Sequence, residues 1–422
     1  MSRTARTLTG ATLTLALSVP AVGAAGADEN DVPGTAGAET LTGVAEPERR
    51  DFYEPPEDIP ATPGTVLKEE PSTSVLDPLG LKAAHFDARR VMYSSLDREG
   101  TPIAVTGIVI TPKKAWTGQG ERPVVSYAPG TQGMGDGCAP TRFLSDSFEY
   151  ESLFFSSLLA EGYSVAMTDY QGLGTPGAHT YMNREVQGHA VLDMARAARA
   201  LPRSGLATSP IGIVGYSQGG GAAASAAELR AEYAPELPVK GVVAGAVPAD
   251  LAKVAENLDG SFWAAFLYFA LVGLSQGHHV DLPAYLNEDG KALAEKVESA
   301  CVTNFGEYAF TESADYSADG RPITDYLDEE PFKSVIAENT IGERTPDVPV
   351  LLTHSRLDDT IPYGVGKQLA RDWCASGTNL RWSPNWAPLH LGGILPNSSQ
   401  VIPFLEDRFE GKALRSNCWA VR

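Results

Sequence analysis

The chain has 422 residues, enough for one large domain or two ordinary ones, and 43% of them are hydrophobic against 20% charged, the balance of a globular protein. Its formal net charge is −20 at pH 7. So acidic a surface repels polyanions, which excludes nucleic acid and anionic membranes as expected partners.

Residues 1–27 have the form of a signal peptide. Arg3 and Arg6 make a basic start, Leu13 to Val22 an apolar stretch, and Ala25-Gly26-Ala27 a small-residue cleavage site before Asp28. That stretch is too short to span a bilayer and no later one qualifies, so the expectation is a secreted, extracellular protein without stable membrane insertion. Residues 28–50, polar, acidic and rich in Gly and Ala, read as a disordered lead-in. Export bears on Cys138, Cys301, Cys374 and Cys418. Four cysteines in an oxidising compartment favour two disulfides, with three pairings open. Their spacing matches no zinc pattern, and no metal or other cofactor is expected.

The ordered body begins with Phe52-Tyr53-Glu54-Pro55-Pro56 and Pro63-Gly64-Thr65, read as an extended arm. Arg89 to Ser95 and Ile103 to Thr111 alternate as strands, with Asp97-Arg98-Glu99-Gly100 the turn of an antiparallel hairpin. Strands are then predicted at Pro123 to Tyr127, Tyr163 to Met167, Ile211 to Tyr216 and Val239 to Ala246. Helices are predicted at Tyr150 to Ala160, Val186 to Leu201 and Gly219 to Glu232. Such alternation implies βαβ units and a mostly parallel sheet. It stops between Asp250 and Pro346, where Phe262 to Leu274 is densely aromatic and aliphatic, and helical segments follow near Leu293 to Ala300 and Tyr326 to Ala337. Too long for a loop, residues 251–346 are expected to form a mainly helical cap over a catalytic domain of residues 51–250 and 347–422. Val348 to Thr353 resumes the sheet, followed by a helix at Gly364 to Ala375, a strand at Leu380 to Trp382 and a last helix at Val401 to Glu410. The fold class is α/β, of the α/β-hydrolase kind.

The chemistry centres on Gly215-Tyr216-Ser217-Gln218-Gly219, set between a strand and an Ala-rich helix. Gly-x-Ser-x-Gly in that context is a sharp turn that lifts a serine hydroxyl clear of the sheet. The hydroxyl needs a base, and the base an orienting acid, in the chain order Ser, acid, His. Of the seven histidines, only His390 lies beyond the loop Ser355 to Pro362, so it is the base by elimination, in a flexible loop Ala387 to Gly393. The acid is Asp358 or Asp359. Asp-x-x-Ile-Pro favours Asp358, leaving Asp359 to cap the turn closed by Pro362. His354 reads as a strand-end residue lining the site, and His278-His279 as solvated cap residues. One oxyanion donor is expected from the amide of Gln218, and the second from Thr131 or Gln132 in the Gly-rich loop after the Pro123 to Tyr127 strand. Tyr216, Phe262, Phe266 and Phe269 are candidates for the substrate pocket.

These residues resemble the secretory lipase family of α/β hydrolases, of the yeast lipase A type with a large cap. The resemblance rests on Phe52-Tyr53-x-Pro-Pro, Val125-Ser126-Tyr127 leading to Cys138-Ala139-Pro140, Gly188 to Leu192, Gly215-Tyr216-Ser217, Tyr233 to Leu237, His354 to Tyr363, and Ser383-Pro384 to His390-Leu391. It implies a Ser217, Asp358, His390 triad, favours Gln132 as second oxyanion donor, and suggests the pairs Cys138–Cys301 and Cys374–Cys418. The chain departs from the yeast enzyme in its Gly-Thr-Gln-Gly loop, where that enzyme has an acidic residue, and in Gln218, where it has Gly. The activity implied is a cofactor-free carboxylic-ester hydrolase acting on an ester or lipid through an acyl-enzyme. A secreted peptidase of the prolyl-oligopeptidase or tripeptidyl-aminopeptidase type, and a non-catalytic surface protein on a hydrolase fold, are the alternatives. Neither oligomeric state nor acyl length is legible.

Overall fold

The computed structural model describes residues 52–72, 85–146 and 149–421. The signal peptide and lead-in expected over residues 1–50 lie outside them. Among the described residues nine strands form one sheet in the order β1-β2-β3-β5-β4-β6-β7-β8-β9. They are β1 (Val66–Pro71), β2 (Phe86–Leu96), β3 (Pro102–Pro112), β4 (Val124–Ala128), β5 (Ser164–Thr168), β6 (Ile211–Tyr216), β7 (Val239–Gly245), β8 (Val350–Leu357) and β9 (Leu380–Pro388). β1, β2 and β3 pair antiparallel and β3 joins β5 antiparallel, while every pair from β5 to β9 is parallel. The hairpin register runs from Phe86↔Pro112 to Leu96↔Pro102, and the Asp97 carboxylate closes its turn by accepting from the Thr101 N–H (2.7 Å).

The helices are α1 (Pro140–Asp146), α2 (Ser152–Ala160), α3 (Arg184–Ala200), α4 (Gln218–Tyr233), α5 (Leu251–Leu258), α6 (Ala264–Gly277), α7 (Glu288–Glu298), α8 (Phe332–Asn339), α9 (Tyr363–Ser376), α10 (Leu389–Gly392) and α11 (Ile394–Phe409). The central strands are apolar at nearly every position because both faces are covered. Ile213, Val242 and Leu352 pack with the side chains of α3, α4 and α9. Their chain neighbours Val214, Val243 and Leu351 pack with α2 and α11 on the other face. Residues 251–346 enter between β7 and β8 and hold α5 to α8 with short 3₁₀ turns. No helix among the described residues is long and apolar enough to cross a membrane.

Several boundaries differ from the sequence reading, each for a local reason. In the expected extended arm, Phe52 and Tyr53 are helical, and directly after Thr65 comes β1, a strand not expected from the sequence, which gains its conformation from pairing with β2 and not from any pattern of its own. β9 extends to Pro388 because it is an edge strand bonded on one side to β8, so its prolines leave the ladder intact. The expected flexible loop around His390 is the helical turn α10. α11 starts at Ile394, well before Val401, since Pro396 falls in the first turn, where no N–H is needed. His278, expected in solvent, is buried against Asn339 Nδ2 (2.9 Å), whereas His279 is exposed.

Disulfides join Cys138 to Cys301 and Cys374 to Cys418. The first closes 163 residues of chain and ties the segment after β4 to the insertion; the second closes 44 and ties α9 to the C-terminal 3₁₀ turn. Opening each bridge by paired Cys→Ser substitution should lower stability by about 2–4 kcal/mol, with the larger loss at Cys138–Cys301, because restricting a longer loop removes more entropy from the unfolded chain. Chemical denaturation of the two double variants checks the order.

Candidate active site

Ser217 stands between the last residue of β6 and the first of α4, with φ 61° and ψ −124°. For a residue with a Cβ this backbone costs on the order of 1–3 kcal/mol and persists only where the surroundings fix it. The Ser217 N–H donates to Gly245 O (3.0 Å) and the Gly221 N–H to Ser217 O (2.9 Å). A Cβ on Gly215 would lie 2.0 Å from Gly219 O, and one on Gly219 would lie 2.0 Å from Ala128 O. The two glycines of the motif are therefore required by close backbone approach. The N-terminus of α4 faces the serine with its unpaired amides and partial positive charge.

His390 is delivered from the opposite side by α10. Its Nε2 lies 2.8 Å from Ser217 Oγ, and its Nδ1 lies 2.9 and 3.0 Å from the Asp358 carboxylate oxygens. The residue is gripped at both ends of its own backbone. Its N–H donates to Asp359 Oδ1 (2.7 Å) and its carbonyl accepts from the Tyr216 hydroxyl (2.7 Å), while the Tyr216 ring packs beside the imidazole. Asp358 is buried. Burial alone would raise its carboxyl, but the hydrogen bond and charge of His390, the charge of His354 and the Ile361 amide outweigh that and hold it below the usual carboxylate range.

Two expectations about this corner are corrected. Asp359 does not cap the turn. Asp358 Oδ1 accepts from the Thr360 and Ile361 amides (3.0 and 2.8 Å), because the chain folds back over the same carboxylate that faces His390. Asp359 instead links the His390 amide to the Trp263 indole N–H (2.8 Å to Oδ2), which belongs to the insertion. His354 does not line the site. It is fully buried behind Asp358, 3.7 Å from Oδ2, with Nε2 2.9 Å from Ile361 O.

Two cavities open on Ser217. The narrower, 80 Å³, enters the insertion between apolar side chains of α5, α6 and α8; the wider, 520 Å³, passes His390 and runs between α2 and α11. Phe266 lies in the wall of both and Tyr216 in that of the wider. Phe262 and Phe269 lie in neither. Phe262 precedes α6, is 43% exposed, and packs on Trp263 and Phe305. Phe269 is turned off the face that carries 266, 267, 270, 271 and 274, and is buried against Tyr181 and Tyr308.

The amides expected to receive an oxyanion, those of Gln218, Thr131 and Gln132, donate to no protein acceptor among the described residues. Thr131 borders the wider cavity. The Gln132 side chain turns away from it, with Nε2 3.2 Å from Glu149 Oε1 and 3.3 Å from Gly130 O. Beneath this loop lie two buried carboxyls that no motif marks, since Glu149-Tyr150-Glu151 at a helix start reads as solvated charge. Glu151 accepts from the Gly130 N–H and the Tyr127 hydroxyl (2.6 Å each), and Tyr150 donates to Thr131 O (3.0 Å).

The secretory lipase family model matches residues 139–417, more than half the chain. The chain belongs to the secretory lipase family. The probable inactive lipase MT1628 of Mycobacterium tuberculosis is 30% identical over 376 residues, 86% of this chain and 82% of that protein. The secreted triacylglycerol lipase LIP5 of Malassezia furfur is 28% identical over 336 residues, 74% of this chain and 85% of that one. Candida antarctica lipase A in its closed state superposes with a TM-score of 0.76 over 89% of both chains at 22% identity, which shows the shared α/β-hydrolase fold. The protein is an ester hydrolase of the lipase type.

In this family member, Asp358→Asn should lower kcat by roughly 10⁴-fold, since the amide can no longer hold the imidazole tautomer, and Asp359→Asn by no more than about 10²-fold, through displacement of His390. Steady-state kinetics on one ester would rank them; equal losses would contradict the division of roles. A second expectation concerns the Glu149–Glu151 pair. Burial raises both carboxyls, and Glu149 is raised further by the charge of Glu151. The folded pair therefore keeps a proton that the unfolded chain releases above about pH 4.3, so the pair's own contribution to stability is greatest at the acid end and falls as pH rises until the pair itself ionises. Glu149→Gln should flatten the decline of melting temperature between about pH 5 and about pH 8 relative to wild type.

Proposed function

We propose that the protein is a secreted carboxylic-ester hydrolase that works through Ser217, His390 and Asp358 by way of an acyl-enzyme. One observation carries the reading: an unbroken hydrogen-bond chain from Asp358 through His390 to a serine held on a strained elbow at the meeting point of two apolar cavities. Because one relative is named a probable inactive lipase, the atoms of this site, rather than family membership, support its turnover.

In this mechanism Ser217 Oγ attacks the ester carbonyl as His390 Nε2 takes its proton. Asp358 steadies the imidazolium. The amide of Gln218 at the start of α4, with an amide from Thr131-Gln132, receives the oxyanion. His390 then protonates the departing alcohol, and water admitted to the same base releases the acid. Residues 251–346 act as the cap. The acyl chain enters the narrow cavity among Leu251, Val254, Leu258, Leu267 and Leu271, where each buried methylene is worth about 0.8 kcal/mol. That gain selects acyl chains over the charged amine of a peptide substrate. The acidic surface, the paired cysteines and the secreted relatives favour export.

Ser217→Ala and His390→Ala should each abolish nearly all hydrolysis of p-nitrophenyl esters with unchanged melting curves, and wild-type rates should rise from acetyl toward longer acyl groups. A p-nitroanilide peptide should be left intact. Faster cleavage of the anilide than of any ester would sustain the peptidase alternative. His354→Ala should cost activity less than His390→Ala.

A further inference from the structure

Every carbonyl of residues 129–132, in the loop after β4, is taken, while the amides of Thr131 and Gln132 have no acceptor among the described residues. Pro129 O accepts from the Tyr170 hydroxyl (2.9 Å), Gly130 O from Gln132 Nε2 (3.3 Å), Thr131 O from the Tyr150 hydroxyl (3.0 Å) and Gln132 O from the Val302 N–H (2.6 Å). No backbone–backbone hydrogen bond joins residues 129–132 to one another. The loop therefore takes its shape mainly from groups outside it. In a trans peptide the carbonyl and the following N–H point opposite ways. Whatever holds Thr131 O thus turns the Gln132 N–H to the other side. The loop also lies against the nucleophile turn: a Cβ on Gly219 would lie 2.8 Å from Pro129 O, and one on Gly130 would lie 3.6 Å from Tyr216 O.

Two of the holding groups come from the start of α2. Besides Tyr150, the Glu151 carboxylate accepts from the Gly130 N–H and the Tyr127 hydroxyl, so the Pro129–Gly130 peptide is clamped at both ends, by Tyr170 and by Glu151. Glu151 occupies the N-cap position of α2, yet its side chain makes no capping bond there. That task falls to Glu149, whose Oε2 accepts from the Ser152 N–H (2.8 Å). Burying a carboxyl costs free energy that its hydrogen bonds must offset. At Glu149 part of that offset comes from its own helix; at Glu151 the bonds go to β4 and the loop beside Ser217. We propose that Glu151 and Tyr150 are positioning residues for ester hydrolysis, holding the Gly130–Gln132 backbone so that the Gln132 amide faces the oxyanion. This rests on the triad mechanism above and goes beyond it in naming what orients its second donor. An oxyanion donor must sit about 2.7–3.1 Å from the developing charge, so a small rotation of the 131–132 peptide is enough to lose it.

The test compares p-nitrophenyl octanoate with its thiono analogue, in which sulfur replaces the carbonyl oxygen. Both need Ser217, His390 and Asp358, but sulfur accepts hydrogen bonds weakly, so the thiono intermediate gains little from amide donors. Glu151→Ala should lower kcat on the oxygen ester by about 10²-fold, the scale of a lost oxyanion donor, with KM changed by less than about twofold. Its rate on the thionoester should fall by less than about threefold. Glu151→Gln, which keeps an acceptor for the Gly130 amide, should restore kcat to within about fivefold of wild type. Tyr150→Phe removes a hydroxyl and leaves the ring, and should cost about tenfold on the oxygen ester alone. It decides the matter if Glu151→Ala fails to fold. Equal losses on the two substrates in folded variants would make Glu151 and Tyr150 purely structural and overturn the proposal. Folded Glu151→Ala and Tyr150→Phe proteins with wild-type kcat on the oxygen ester would overturn it as well. Wild-type protein that hydrolyses neither substrate and takes up no fluorophosphonate would overturn the triad mechanism itself, and the proposal with it.

Discussion

Ser217 sits in a left-handed backbone conformation between β6 and α4, and the rest of the site depends on its being held there. The strand and helix meet with no spare residue, so the turn has to be closed by backbone packing, with Gly215 against Gly219 and Gly219 against Ala128. The strain is offset by the buried sheet on one side and α4 on the other, whose small residues let it lie close on the strands. What results is a hydroxyl aimed away from the sheet, with helix amides on one flank and an imidazole on the other. Substituting either glycine would force the elbow open, and every other distance in the site is measured from that point.

The insertion between β7 and β8 reaches both the turn that carries His390 and the Gly130 loop. Trp263 at the start of α6 donates to Asp359, which in turn holds the amide of His390. On the opposite flank, the Val302 N–H donates to Gln132 O (2.6 Å), the Met134 N–H to Ala300 O (2.8 Å), and Cys301 is bonded to Cys138. The segment that walls the narrow cavity thus also bonds, directly or through Asp359, to the turns that carry His390 and Thr131-Gln132. A displacement of α6 would be felt at His390 through one hydrogen-bonded side chain. This gives a physical route by which filling of the narrow cavity can tighten the site, and the covalent tie at Cys138–Cys301 lies beside the loop that carries Thr131 and Gln132.

The parts legible in the sequence were those with a local requirement. Gly-x-Ser-x-Gly declares itself because only glycine fits the approach, and alternating apolar strands and helices declare a sheet covered on both faces. His390 could be reached by elimination, and Asp358 by the turn that follows it. The rest is set by tertiary contact. The motif favours Asp358 over its neighbour as the partner of an imidazole, but that Asp359 bridges a backbone amide to an indole, and caps no turn, is visible only in the folded chain. Phe262, Phe266 and Phe269 form one greasy run in sequence, yet the start of α6 and its 3.6-residue period send them to the surface, the cavity and the core. Glu149 and Glu151 gave no sign of burial, since nothing local marks a carboxyl that will accept from an amide at Gly130.

The central claim is that Ser217 carries the acyl group between attack and release. The direct measurement mixes the protein with a long-chain p-nitrophenyl ester, quenches in acid within the first turnover, and maps the acylated peptide by mass spectrometry. The expected result is one acyl group, on the peptide that contains Ser217, in near-stoichiometric proportion to the p-nitrophenol released, and none in the His390→Ala variant. Rapid release of p-nitrophenol with the acyl group on a different residue, or on none while labelling controls succeed, would contradict the account.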